Sequence, residues 1–194
     1  MHSIRRMTVI LSQDHLPEDG AQRLCRQGEW PEQVDLFCLA AATRLLQADF
    51  SAWPPGERLF CAHNHQQLAA EPPPPGSPFV AAGLASLGRL IRDSQVTLAL
   101  PAARWPETVP TVGVKDIAII LGEDRCMYFE SLRLATGLAG CNHQVTVYTP
   151  LEPLQLRHLV PEAGSFFEVL SVMRSEFKVK APERVTRHNV LLSL

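Results

Sequence analysis

Short apolar runs alternate with longer segments patterned at helical spacing along the whole chain, and this alternation limits the fold more than any other feature. The runs "IRRMTVILS", "ERLFCA", "QVTLALP", "VKDIAIILG" and "HQVTVYTP" are six to nine residues long. Most are apolar on both faces, as strands of a covered parallel sheet must be. The segments between them carry apolar residues every three or four positions. Strands alternating with helices predict an α/β fold, a mostly parallel sheet flanked by helices in three layers, of flavodoxin or Rossmann type.

Two proline-rich breaks punctuate the pattern. "AAEPPPPGSP" (69–78) holds four consecutive prolines and is expected as a stiff exposed loop. "PAARWPETVPTVG" (101–113) reads as a linker. It divides the chain into an N-terminal half, 1–105, and a C-terminal half, 106–194. Pattern alone allows one continuous sheet or two, and the halves share a rhythm without a sequence repeat.

The first half predicts a strand over "IRRMTVILS" and a short helix over "PEDGAQRLCRQ" (17–27). A longer helix is expected over "PEQVDLFCLAAATRLLQAD" (31–49), with Val34, Phe37, Cys38, Ala41 and Leu45 on one face. "ERLFCA" reads as a strand, "PFVAAGLASLGRLIRDS" (78–94) as a helix, and "QVTLALP" as a strand. In the second half, "VKDIAIILG" and "HQVTVYTP" read as strands around a helix over "CMYFESLRLATGLAG". "LEPLQLRHLVP" and "SFFEVLSVMRSE" are expected to be helical, and "FKVKAP" and "NVLLSL" to be strands.

Composition closes several functional classes. Formal net charge is -2, with scattered basic residues, so no electrostatic case exists for nucleic acid. The apolar runs fall well short of a membrane span. The apolar run Met7–Leu11 is too short for a secretory signal, so the protein is expected in the cytoplasm. The five cysteines are widely spaced and include no CxxC pair. In that compartment they are expected to be reduced.

Sites in open α/β sheets form beyond the carboxyl ends of strands. "CAHNHQQL" places Cys61 at such an end, followed at once by His63 and His65. Three readings stand. Cys61, His63 and His65 supply three closely spaced metal donors, but no distant partner has zinc-site spacing. A nearby imidazole lets Cys61 act as a reactive thiol. Alternatively, Cys61 is a buried core residue with polar neighbours. Cys126, in "LGEDRCMYFES", follows a strand at a helix start and is a lesser candidate, with packing as its alternative. Cys25 and Cys38 are read as packing, and Cys141 with His143 as a turn. No Gly-x-Gly-x-x-Gly or P-loop pattern is present, which ranks a nucleotide or flavin domain last.

"RLFCAHNHQQL", the proline loop and "PFVAAGLASLGRLIRDSQVTLALP" together resemble the later part of the DsrE/TusD family of sulfur-transfer proteins. There, a strand ends in a cysteine that carries a persulfide, and an aliphatic-Gly-Leu helix and a strand follow. The matching positions are Cys61, then Ala82-Gly83-Leu84 with Leu87, then Val96 to Leu100. "KDIAIILGEDRCMYFESLRLATGLAGCNHQVTVYTP" is similar to the family's opening, so the two segments stand here in reversed order. The resemblance implies a carrier of sulfane sulfur on Cys61, with His63 and His65 tuning the thiol. It implies no metal and no cofactor, transient contacts with small sulfur-carrier proteins, and homo- or hetero-oligomers. The family's cysteine is followed by small and basic residues. Here it is followed by Ala62-His63-Asn64-His65-Gln66, which favours an alternative, a non-catalytic subunit or assembly protein that has lost the chemistry.

Overall fold

A computed structural model describes residues 4–15, 30–100, 111–122, 125–179 and 188–193, the side chain of Cys126 excepted. These form two compact units that divide between Gly113 and Val114. Each unit holds one sheet, every strand pairing is parallel, and helices pack against the sheets. The expected three-layer α/β class is the observed one. Among the described residues, no helix is long and apolar enough to cross a membrane.

The first unit contains β1 (Arg6–Leu11), β2 (Gln33–Cys38), β3 (Arg58–Cys61), β4 (Phe79–Ala82) and β5 (Val96–Leu100), in the spatial order β4-β3-β2-β1-β5. Its helices are α1 (Ala62–Gln67) and α2 (Leu84–Asp93), with a 3-10 helix over Ala40–Gln47. Alternate residues serve the two faces. Met7, Val9, Leu11, Val34, Leu36, Cys38, Leu98 and Leu100 build one core with Ala42, Leu46, Phe50 and Phe60. Thr8, on the opposite face of β1, donates to the Leu90 carbonyl (3.1 Å) and meets the Ser94 hydroxyl (2.6 Å), seating the end of α2.

Two helix expectations fail here. Residues 31–49 open with strand β2, and only Ala40–Gln47 coils, as a 3-10 helix. Residues 78–94 open with strand β4, and α2 begins after Gly83. Strand β4 has four residues, too few to show an alternation, and β2 is buried on both faces and shows none. Its continuous apolar run therefore also satisfies a helical template. What distinguishes β2 is long-range pairing: Leu36, Phe37 and Cys38 stand beside Arg58, Leu59 and Phe60. The expected helix over 17–27 lies outside the described residues.

A polar clamp fixes the amino ends of β1 to β3. Asp35 is buried within β2 and accepts hydrogen bonds from Arg6 Nε (2.6 Å), Gln33 Nε2 (3.0 Å) and the Glu57 backbone N–H (2.8 Å). A buried carboxylate needs this satisfaction, since an uncompensated one is strongly disfavoured. Buried Arg58 donates to the Val34 and Pro54 carbonyls. Gly56 is required by close approach: a Cβ there would lie 2.2 Å from the Val34 carbonyl oxygen.

The second unit contains β6 (Asp116–Ile120), β7 (Gln144–Thr149), β8 (Glu176–Val179) and β9 (Val190–Ser193), in the order β8-β7-β6-β9. Helix α3 (Tyr128–Gly140) packs on β6 and β7, while α4 (Pro153–Leu159) and α5 (Gly164–Val172) lie between β7 and β8 in sequence. Pro153 at the first helical position and a Glu152/Gln155 capping box start α4. Across three strand starts and ends, His188 meets Asp116 Oδ1 through Nδ1 (2.7 Å) and the Tyr148 hydroxyl through Nε2 (2.9 Å). With Asp116 accepting, Nδ1 donates, and the Tyr148 hydroxyl, which can donate or accept, completes the ring's second hydrogen bond.

Both sheets share one plan. Each adds successive strands on one side of its first strand and places its last strand on the other side. This is the structural form of the rhythm common to the two halves.

Candidate functional site

Cys61 is the last residue of β3, pairs with Ala82 of β4, and immediately precedes α1. Its place at a strand's carboxyl end matches the sequence reading. Its burial answers the question that reading left open: Cys61 is 1% exposed.

The three residues after Ala62 have separate tasks. His63 is exposed. Asn64 is 4% exposed, and its Oδ1 accepts the backbone N–H of Ala40 at 3.1 Å. Ala40 has a φ of 50°, a left-handed backbone that alanine adopts only where its surroundings hold it. His65 is half-buried. Its Nε2 lies 3.1 Å from the Glu71 carbonyl oxygen, and its ring centroid lies 5.0 Å from that of Phe60. His65 thus anchors the segment that leads into the proline loop. The structure places the imidazoles on opposite business: one faces solvent, and one packs against the strand it follows.

Cys38 ends β2 on the neighbouring strand and is fully buried. Removal from water pushes its thiol up to about 12, and the positive charge of Arg58 only partly opposes this. A thiol held in that state is not a nucleophile near neutral pH. Cys141 lies in the turn between α3 and β7, at the amino edge of the second sheet. The side chain of Cys126 and all of Cys25 lie outside the described residues. Among the described residues, no group of three or more His, Cys, Asp or Glu side chains is arranged to hold a metal ion.

Thiol–disulfide or persulfide exchange requires a sulfur to reach the attacking thiolate. The described arrangement of Cys61 supplies packing and a strand-to-helix junction. An exchange step at a residue 1% exposed requires local opening that brings its sulfur to the surface. Sequence reading missed Asn64, the residue that organises this junction. Its only sequence signal is a polar residue flanked by two more conspicuous ones.

No family model and no curated protein matches this chain. Solved structures that match include histamine dehydrogenase from Rhizobium sp. 4-9, at 10% identity with a TM-score of 0.29. That alignment covers all of this chain and 36% of the dehydrogenase chain, so the present chain spans about a third of its length.

Proposed function

We propose that this chain is a non-catalytic α/β subunit that assembles with other protein chains and retains the DsrE/TusD-like cysteine segment as part of its core. One observation carries the reading: Cys61 is 1% exposed. The buried neighbour Cys38 and the outward-facing His63 support it, because neither prepares a thiolate for exchange.

A sulfane-sulfur relay on Cys61 is the second reading. It is supported by the position of Cys61 at the carboxyl end of a parallel strand, where α/β sheets hold their chemistry. In that case small sulfur-carrier proteins are the partners, and a persulfide on Cys61 is the cargo.

Native protein treated with a persulfide donor, and separately with an alkylating reagent from pH 6 to pH 9 (about the range in which a free thiol titrates), distinguishes the two. Peptide mass mapping should find Cys61 and Cys38 unmodified until the protein is unfolded. Added sulfur on Cys61 in the native protein, at the rate of a free thiol, overturns the non-catalytic reading and establishes the relay.

A further inference from the structure

Among the described residues, strand β8 is an outer strand of the four-stranded sheet, hydrogen-bonded to β7 on one side. An outer strand presents a row of backbone donors and acceptors to any chain that can pair with it. Beside it, α5 carries Val169 and the turn that follows carries Met173, both exposed, while Val172 at the end of α5 is 80% exposed. Val179, at the end of β8, is exposed as well. Phe177 is half-buried and stacks on Phe167 of α5, with ring centroids 5.6 Å apart. On one face of the sheet the Phe177 ring thus ties β8 to α5.

Charged residues on an outer strand commonly discourage pairing. Here the two charges have opposite sign and lie two residues apart, with Lys178 Nζ 2.6 Å from Glu176 Oε2. That spacing is self-complementary in a single register. Antiparallel pairing of two copies about Phe177 sets Glu176 of each opposite Lys178 of the other. Centring the pair on Glu176 or on Lys178 instead sets like charges face to face, which is unfavourable. Centring it between residues sets neither charge opposite its complement.

We propose that β8 is the docking edge for a second copy of this chain. The two copies pair antiparallel about Phe177 and join two four-stranded sheets into one of eight strands. The contact is isologous, the commonest closed symmetry for a homodimer. Glu176 and Lys178 of both copies form an alternating four-charge cluster on one face. Phe177 of each copy faces its counterpart on the other face. The inference names a partner for the assembly role proposed above and rests on that reading for its purpose. The two fail separately: modification of Cys61 decides the first, and molecular mass decides this one.

The test measures the mass of the full chain by sedimentation and light scattering over a range of concentrations. The wild type should reach twice the chain mass of 21.5 kDa. Glu176→Lys and Lys178→Glu should each weaken association by about tenfold or more, since each sets like charges across both symmetric pairs. An equimolar mixture of the two variants should recover the dimer, because Lys then faces Glu at every position. A wild type monomeric at every concentration overturns the proposal. So does a mass unchanged by either charge reversal, or a mixture of the two variants that stays monomeric.

Discussion

The Asn64 side-chain oxygen accepts the backbone N–H of Ala40 across 3.1 Å, and this bond joins the helix after β3 to the left-handed turn after β2. The two residues are 24 positions apart, and both are buried. Asn64→Ala leaves the Ala40 N–H without its partner in a buried site. The expected cost is about 1–3 kcal/mol, the penalty of an unsatisfied buried donor. His63→Ala, at the exposed neighbour, should stay within about 0.5 kcal/mol of the wild type. Urea denaturation of the two variants checks the contrast. Equal stabilities would show that Asn64 does not organise the junction.

Burial should make Cys38 a source of alkaline sensitivity. Its thiol is held up to about 12, while the unfolded chain releases that proton from an ordinary value of 9.0. A folded value raised above the unfolded one means stability is intact below about pH 9 and declines as pH rises toward 12. Cys38→Ala removes this dependence while losing some packing. The variant should therefore be less stable at pH 7, and the gap should narrow above pH 9 (about the unfolded thiol's ordinary range). Thermal melts at several pH values read both effects. A gap that stays constant with pH would contradict the assignment.

Glu57 should confer acid sensitivity on the first unit. Arg89 forks both its carboxylate oxygens, through Nη1 to Oε1 (2.8 Å) and Nη2 to Oε2 (2.6 Å), and Arg6 adds a longer contact. The Arg89 hydrogen bonds, then the charges of Arg89 and Arg6, hold this carboxyl below the usual 4.5. Its contribution is present above pH 4.5 and is lost as pH falls through the lower folded value. Both partners are more than a third exposed, so the effect is at most about 1 kcal/mol. Glu57→Gln should lower stability at pH 7 and approach the wild type near pH 3 (about where a glutamate is protonated). Denaturation at the two pH values checks this, and equal costs at both would exclude the ion pair as the cause.

Legibility differed sharply between strands. β1, β3, β5, β6 and β7 were readable because their apolar runs are short and bounded by turn or polar residues. β2 and β4 were not, because each runs directly into a coiled segment: Leu39 follows Cys38, and Gly83 alone separates Ala82 from α2. A template that counts apolar residues at three and four positions merges the two elements. Asp35 was equally opaque. Within an apolar run it reads as the outer face of a helix, and only its bonds from Arg6 and Glu57 make it an interior residue.

The candidate site divided in the same way. The run "RLFC" followed by polar residues was enough to place Cys61 at a strand end. Its burial depends on what folds over it, and that is absent from local pattern. The histidines were the conspicuous letters, yet the residue between them carries the structural role.

By itself, the sequence determined the α/β class and the place of Cys61 at the close of a strand. Those properties depend on hydrophobic periodicity and turn chemistry within a dozen residues. Only the tertiary structure decided the strand order, the burial of Cys61, the bond from Ala40 to Asn64, and the position of β8 on the outside of its sheet. Each of these follows from pairing between segments tens of residues apart. Such pairing depends on how connecting segments cross the sheet, and no local pattern of residues encodes that crossing.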